Sequence, residues 1–298
     1  MVRHGPASAR SEAVRIGRLM YERQLVVAAE GNLSSRLAGG TFLITPTGLC
    51  KGQLQQSDLI EIDLRGRPVP AATPPAPSPS IVASAPDTDL NFRSQVSTRE
   101  PSSEWPLHRE IYQRRTDVVA ICHGHPPWAT AFAAAGQPLT GCLLPEIVAT
   151  VGAVPLAAYG TPGTEEVPAA VRDLVTEHSA LLLANHGVVT MGGSLSEAFQ
   201  RLESVERLAQ ITLLARLAGG ERRLTAEQAA ALQKPGSGRR DVSSRLLCEP
   251  ADSHLPAGSA ALEDPAGFAD SGQEAALEAL ADLLAREILA ELAKEEES

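Results

Sequence analysis

A mixed α/β sandwich is the fold class this sequence predicts, and three observations carry it. Apolar runs at 118–122 (VVAIC) and 180–184 (ALLLA) read as buried strands. Segments with apolar residues at helical spacing lie between them, the clearest opened by the capping box Ser194-Leu195-Ser196-Glu197. A clean strand–helix–strand period is missing, which argues against a doubly wound parallel sheet.

In chain order, Val14, Ile16, Leu19, Met20 and Val27 predict an N-terminal helix over 11–29, stopped near Gly31. Gly31-Asn32-Leu33-Ser34-Ser35-Arg36 begins a strand rich in small polar donors. A short strand follows at 41–44, closed by the turn Thr45-Pro46-Thr47-Gly48. The alternation of 59–64 (LIEIDL) predicts another strand. Residues 68–100 open with a Pro/Ala/Ser-rich stretch that holds neither ladder nor helix and read as an insertion. A helix over 104–115 clusters Trp105, His108, Ile111 and Tyr112 on one side. Another helix starts at Pro127, a strand is expected over 151–156 and a helix over 165–178. The capping-box helix carries Leu195, Phe199, Leu202, Ala209 and Leu213 to Gly219-Gly220.

The tail differs. Residues 236–267 are rich in Pro, Gly and Ser and read as a flexible linker. Residues 268–298 then carry Leu277, Leu280, Leu284, Ile288 and Leu292 at amphipathic spacing behind the capping box Ser271-Gly272-Gln273-Glu274. Three domains follow: a core over 1–235 containing the insertion, the linker, and a tethered helix.

Composition narrows the function. The 298 residues are 43% hydrophobic but only 3% aromatic, so the core is built mainly from Ala, Leu and Val. A formal charge of −10 argues against nucleic acid as a partner. No apolar run approaches the roughly 18 residues of a membrane span, and 1–15 has no secretory apolar core. Cys50, Cys122, Cys142 and Cys248 are scattered without a CxxC pair, which predicts free thiols and a cytoplasmic protein.

The chemistry concentrates in residues 101–127. Glu104 stands shortly before Cys122-His123-Gly124-His125. Residues i and i+2 of a strand share a face, so the two imidazoles lie side by side, half of a metal site. His186, also at a strand end and followed by glycine, is the natural third ligand. Three imidazoles with an open fourth position make a catalytic zinc site. His-x-His by itself also fits strand-end histidines bonded to backbone, and Glu104 also fits a carboxylate at a helix start. Asn32, Thr47-Gly48 and Ser102-Ser103 together offer amide, hydroxyl and N–H donors for a phosphate, though each is ordinary turn chemistry.

Gly31-Asn32-Leu33-Ser34, Thr45-Pro46-Thr47-Gly48, Pro101-Ser102-Ser103-Glu104, His123-Gly124-His125-Pro126-Pro127, Tyr159-Gly160-Thr161 and Asn185-His186-Gly187, in this order, resemble the class II aldolase/adducin family. The sugar-phosphate aldolases of the L-fuculose-1-phosphate type are the nearest branch. The resemblance covers roughly 8–235. It implies a central mixed sheet flanked by helices and a C4 homo-tetramer with sites between subunits. It implies zinc on His123, His125 and His186, Glu104 as acid/base, and Asn32, Thr47, Gly48, Ser102 and Ser103 on the phosphate. The non-catalytic adducin branch lacks the metal histidines, and the 4-epimerase branch carries Asp where Glu104 stands. The expected reaction is reversible cleavage of a ketose 1-phosphate to dihydroxyacetone phosphate and an aldehyde such as lactaldehyde.

Two departures bear on the substrate. The fuculose-phosphate enzymes bring a tyrosine about twenty residues after the second zinc histidine, where this chain reads Leu143-Leu144-Pro145-Glu146. They use another near the end of the core, and no tyrosine follows Tyr159 here. Related thiosugar-phosphate dehydratases have a glutamate near Glu146, which is a candidate second acid/base or a plain helix-start residue. A dehydratase, a decarboxylase or an adducin-like scaffold are the alternatives. The tethered helix over 271–298 fits a docking peptide, a self-pairing helix or an idle tail. It resembles the encapsulation peptides that bind shell proteins of bacterial microcompartments.

Overall fold

The computed structural model describes residues 5–69, 100–232 and 248–251. Its strands are β1 (Asn32–Arg36), β2 (Phe42–Ile44), β3 (Ile60–Ile62), β4 (Ala120–Gly124), β5 (Leu156–Ala157), β6 (Ala180–Leu183) and β7 (Gly187–Gly192). They form one seven-stranded sheet in the order β3-β2-β1-β4-β7-β6-β5. Every pairing is antiparallel except β5 with β6. This is the mixed sheet expected.

Strand alternation sorts the side chains into two cores. One face buries Leu33, Leu43, Ala120, Cys122, Leu182 and Val188. It is covered by α1 (Pro6–Glu22) and α6 (Leu195–Leu217), with α3 (Pro127–Ala134) and α4 (Pro145–Thr150) completing the layer. The opposite face buries Phe42, Ile44, Ile121, Leu181, Val189 and Met191 under α2 (Trp105–Arg114) and α5 (Glu166–Val171). A last helix, α7 (Ala226–Leu232), packs beside α4.

Several elements differ from the expectation. The N-terminal helix ends at Glu22, because the chain turns at Gln24 (φ 57°) to bury Leu25 and Val26. The strand expected over 151–156 is reduced to Leu156–Ala157, since α4 runs to Thr150 and Gly152 then takes φ +78°. The helix expected over 165–178 is a short α5 followed by a 3-10 turn at Leu174–Thr176. Strand β7, central in the sheet, has no counterpart in the expectation: Gly187, Thr190 and Gly192 break up its apolar run.

The free-thiol expectation is corrected. Cys142 and Cys248 form a disulfide across 106 residues, leaving Cys50 and Cys122 as free thiols. Residues 248–251 fall within the stretch read as linker, yet they dock on the core. Cys142 N–H donates to Glu249 O at 3.0 Å and Glu249 N–H to Thr140 O at 2.7 Å. Pro68 bridges Ile62, so the insertion begins as a continuation of the β3 edge. Residues 70–99 of the insertion, the rest of the linker and the helix expected over 268–298 lie outside the described residues. No described helix is long and apolar enough to cross a membrane.

Candidate active site

The ends of β1, β4 and the β6–β7 turn build the site. Asn32 lies directly opposite His123 across the β1–β4 pair, so both project from the same face, the one under α2. His123 is fully buried in the last turn of pairing. His125 follows β4, its N–H donating to Leu25 O at 2.9 Å. His186 sits in the tight turn between β6 and β7, where Asn185 takes a left-handed φ of 55°. A Cβ on Gly187 would stand 2.5 Å from Gly124 O and 2.6 Å from His125 Cδ2. Only glycine therefore lets this turn close on the β4 end and bring His186 to the other two rings.

The three ring centroids are 4.8–5.0 Å apart, and each ring offers one nitrogen within 4.8 Å of the others. The Nε2 atoms of His123 and His125 are 3.1 Å apart. A tetrahedral ion with bonds near 2 Å needs its nitrogens roughly 3.3 Å apart, so the donor set fits one after small adjustments. Outer contacts orient two of the rings. His123 Nδ1 donates to Val188 O at 2.9 Å, and His125 Nδ1 faces Glu30 Oε2 at 3.3 Å. Both leave Nε2 for the ion, the arrangement that holds metal-ligating histidines elsewhere.

Glu104 closes the fourth side. Its Oε2 is 3.0 Å from His123 Nε2 and its Oε1 3.3 Å from His186 Nε2. Burial acts to raise its carboxyl, but His123, His186 and Asn32 outweigh burial and hold it well below the usual carboxylate range. The His125 imidazole is pushed down to about 3 by burial and by the neighbouring rings. Burial pulls His123 down too, but the Glu104 charge wins and raises it.

The turn and helix-start donors run alongside. Thr47 N–H donates to Glu100 O at 3.0 Å and Ser102 N–H to Thr45 O at 3.1 Å, which clamps the Thr45-Pro46-Thr47-Gly48 turn to Pro101-Ser102-Ser103-Glu104. Ser103 and Gly48 are exposed, and among the described residues neither their N–H groups nor the Thr47 and Ser103 hydroxyls donate to any other group. The first turn of α2 carries no side-chain cap at Glu104, so its positive end stays open toward these donors. A shallow pocket lined by Glu104, Leu107, Pro162, Gly163 and His186 lies against the loop that follows Tyr159-Gly160-Thr161. Glu146 is exposed on the first turn of α4, and none of its contacts among the described residues reaches the histidines.

Two residues escaped the sequence reading. Lys51 is 1% exposed, and its Nζ donates to Ala29 O at 2.9 Å and Leu49 O at 2.7 Å. It ties the loop before Asn32 to the loop after Gly48. His108, read as one polar member of a helix face, is fully buried and bonded to Asn32. For His108 the only signal was a polar residue on an otherwise apolar helix face, and Lys51 gave none.

Fold and centre together define an α/β enzyme with a three-histidine site able to hold a metal ion. A profile described as Class II Aldolase and Adducin N-terminal domain matches residues 11–213. An L-fuculose phosphate aldolase of Methanococcus maripaludis is 30% identical over 204 residues, 68% of this chain and 96% of that protein. A 3-oxo-tetronate 4-phosphate decarboxylase of Pectobacterium atrosepticum is also 30% identical, over 69% of this chain and 84% of its own. A solved L-fuculose 1-phosphate aldolase superposes with a TM-score of 0.63 at 29% identity, covering 76% of this chain and 94% of that one. The chain belongs to the class II aldolase and adducin family, and within it stands with the lyases.

Proposed function

We propose that this protein cleaves a ketose 1-phosphate reversibly to dihydroxyacetone phosphate and an aldehyde such as lactaldehyde, with zinc as its metal. The observation that carries the reading is the Glu104 carboxylate within 3.3 Å of two of three converging imidazoles. Zinc on His123, His125 and His186 would supply Lewis-acid polarisation of the substrate carbonyl. Asn32, Thr47, Gly48, Ser102 and Ser103 bind the phosphate, with the open start of α2 favouring its charge. Breaking C3–C4 removes the C4 hydroxyl proton and leaves C3 in need of one. Glu104, ionised beside the histidines, takes the C4 hydroxyl proton and passes it to C3 in cleavage, and in synthesis it carries the proton from C3 back to the new C4 hydroxyl. Lys51 forms no Schiff base, because its ammonium is turned onto two backbone carbonyls.

A decarboxylase is the second reading. A relative named as a 3-oxo-tetronate 4-phosphate decarboxylase matches as well as the aldolase does, and neither tyrosine of the fuculose-phosphate enzymes has a counterpart here. Loss of carbon dioxide also leaves a carbon beside a carbonyl that must be protonated, a task for the same carboxylate. A panel of ketose 1-phosphates assayed for dihydroxyacetone phosphate, beside a 3-oxo-acid phosphate assayed for carbon dioxide, separates the two. Activity that survives a chelator would remove the metal from either reading.

The same proposal makes the enzyme a homo-tetramer, with residues 271–298 docking it to a microcompartment shell protein. Light scattering on the purified chain tests the first part. A reporter fused to 271–298 and co-expressed with shell proteins tests the second, and a uniformly diffuse signal would refute it.

A further inference from the structure

A line of buried polar contacts leads away from Glu104 beneath α2. Asn32 Nδ2 donates to Glu104 Oε2 at 3.0 Å. Asn32 Oδ1 is 2.6 Å from His108 Nε2. His108 Nδ1 is 2.6 Å from Ser34 Oγ, and Ser34 Oγ is 2.8 Å from Tyr112 Oη. Tyr112, Ser34 and His108 are 2%, 2% and 0% exposed. Nothing in the reaction proposed above uses His108, Ser34 or Tyr112.

The direction of every bond in this line follows from the Asn32 amide. Its Nδ2 faces a Glu104 oxygen and its Oδ1 faces His108, so the NH2 donates to Glu104 and the carbonyl oxygen is left to accept from His108. That oxygen accepts, so His108 must carry its proton on Nε2. Its Nδ1 is then an acceptor, so Ser34 donates to it. Ser34 has spent its one proton, so it accepts from Tyr112. All four bonds donate toward the carboxylate. Reversing one would set two acceptors or two donors against each other in a buried place, where an unmade bond costs about 1–3 kcal/mol.

We propose that His108 is a positioning residue of the active site: as the Nε2–H tautomer between Ser34 and Asn32, it fixes the Asn32 amide with its NH2 turned inward and so holds Glu104 against the histidines. The assignment rests on the reading of Glu104 as the acid/base group. With its amide pinned, Asn32 keeps one N–H on Glu104 and has its second for the substrate. The line needs a neutral ring, and burial followed by the nearby His123 pushes His108 down to about 3. Burial likewise raises the Tyr112 hydroxyl, keeping its proton in place to donate.

Nitrogen-15 NMR of the full-length protein labelled at histidine reads the tautomer directly, with His108→Gln supplying the assignment. At pH 7 His108 should appear neutral with its proton on Nε2. A proton on Nδ1, or a charged ring, overturns the proposal whatever the enzyme turns over. On the substrate found in the panel, His108→Phe should lower kcat about 10- to 100-fold with metal content unchanged, as losing an outer positioning partner does. His108→Gln, which keeps a donor and an acceptor, should lose less. Equal activity in wild type and a folded His108→Phe refutes the positioning role. A wild type inert toward every substrate refutes the reaction but leaves the tautomer test standing.

Discussion

The two faces of the sheet are built from the same strands and do different work. Under α1 and α6, the face holding Leu33, Cys122 and Val188 packs apolar side chains against apolar helix stripes. Under α2, the next residues of the same strands add an apolar cluster and bring Asn32, Ser34 and His123 beneath His108 and Tyr112 of the helix. Strand period makes this separation possible: one step along β1 or β4 moves a side chain from fold to site. Both faces bury an apolar cluster, and on the second the polar groups gather where their bonds can be completed.

The largest expected effect breaks the polar face alone. Glu104→Gln keeps the shape but ends proton transfer, and kcat should fall about 10²–10⁴-fold. Full activity in this variant would place the proton elsewhere.

A matched pair of cavities sharpens the contrast. Ile16 of α1 and Ile111 of α2 are both fully buried, on opposite faces. Either change to Ala should destabilise by about 2–5 kcal/mol, read from denaturant midpoints. Only Ile111→Ala should also lower kcat per folded molecule, because α2 carries His108 and Tyr112. An equal loss of kcat in both would mean that the faces are not separable.

Legibility in the sequence followed the same division. The convergence of His123, His125 and His186 with Glu104 beside them was legible because each sits at a strand end or turn with a local signature. His108 and Lys51 were not, since nothing local says that a histidine on an apolar helix face meets Asn32, or that a lysine finds two carbonyls. The disulfide joins cysteines 106 residues apart, a distance at which spacing carries no information. Strand β7 hid because its glycines, needed for close approach to β4 and α6, dilute its apolar run.

Lys51 offers a smaller, pH-dependent test at the border of the faces. Burial lowers it to about 8 from an ordinary 10.5, against the opposing pull of Cys50, Glu104 and Glu30. The folded chain loses this proton near 8 while the unfolded chain keeps it to 10.5. Between those values the unfolded state binds more protons, so stability gains a rising contribution with pH. Lys51→Met should flatten that rise relative to wild type in urea titrations across the window. Parallel curves for the two proteins would show that the ammonium is not desolvated as described.

The smallest effect compares two helix starts. On the apolar side, α6 is closed by its own residues: Ser194 Oγ accepts from Glu197 N–H at 3.1 Å, and Glu197 Oε2 accepts from Gly193 N–H at 2.7 Å. The carboxylate reaches one residue beyond the usual capping-box partner, leaving no place for an outside anion. On the polar side, α2 begins without a side-chain cap at Glu104. Ser194→Ala should therefore destabilise by about 1 kcal/mol and leave binding of inorganic phosphate unchanged. Ser103→Ala should do the reverse, weakening phosphate while hardly moving the midpoint, because its hydroxyl caps nothing among the described residues. Calorimetric titration with phosphate on both variants decides it, and a Ser194→Ala protein that binds phosphate more weakly would show that the two helix starts are coupled through the sheet.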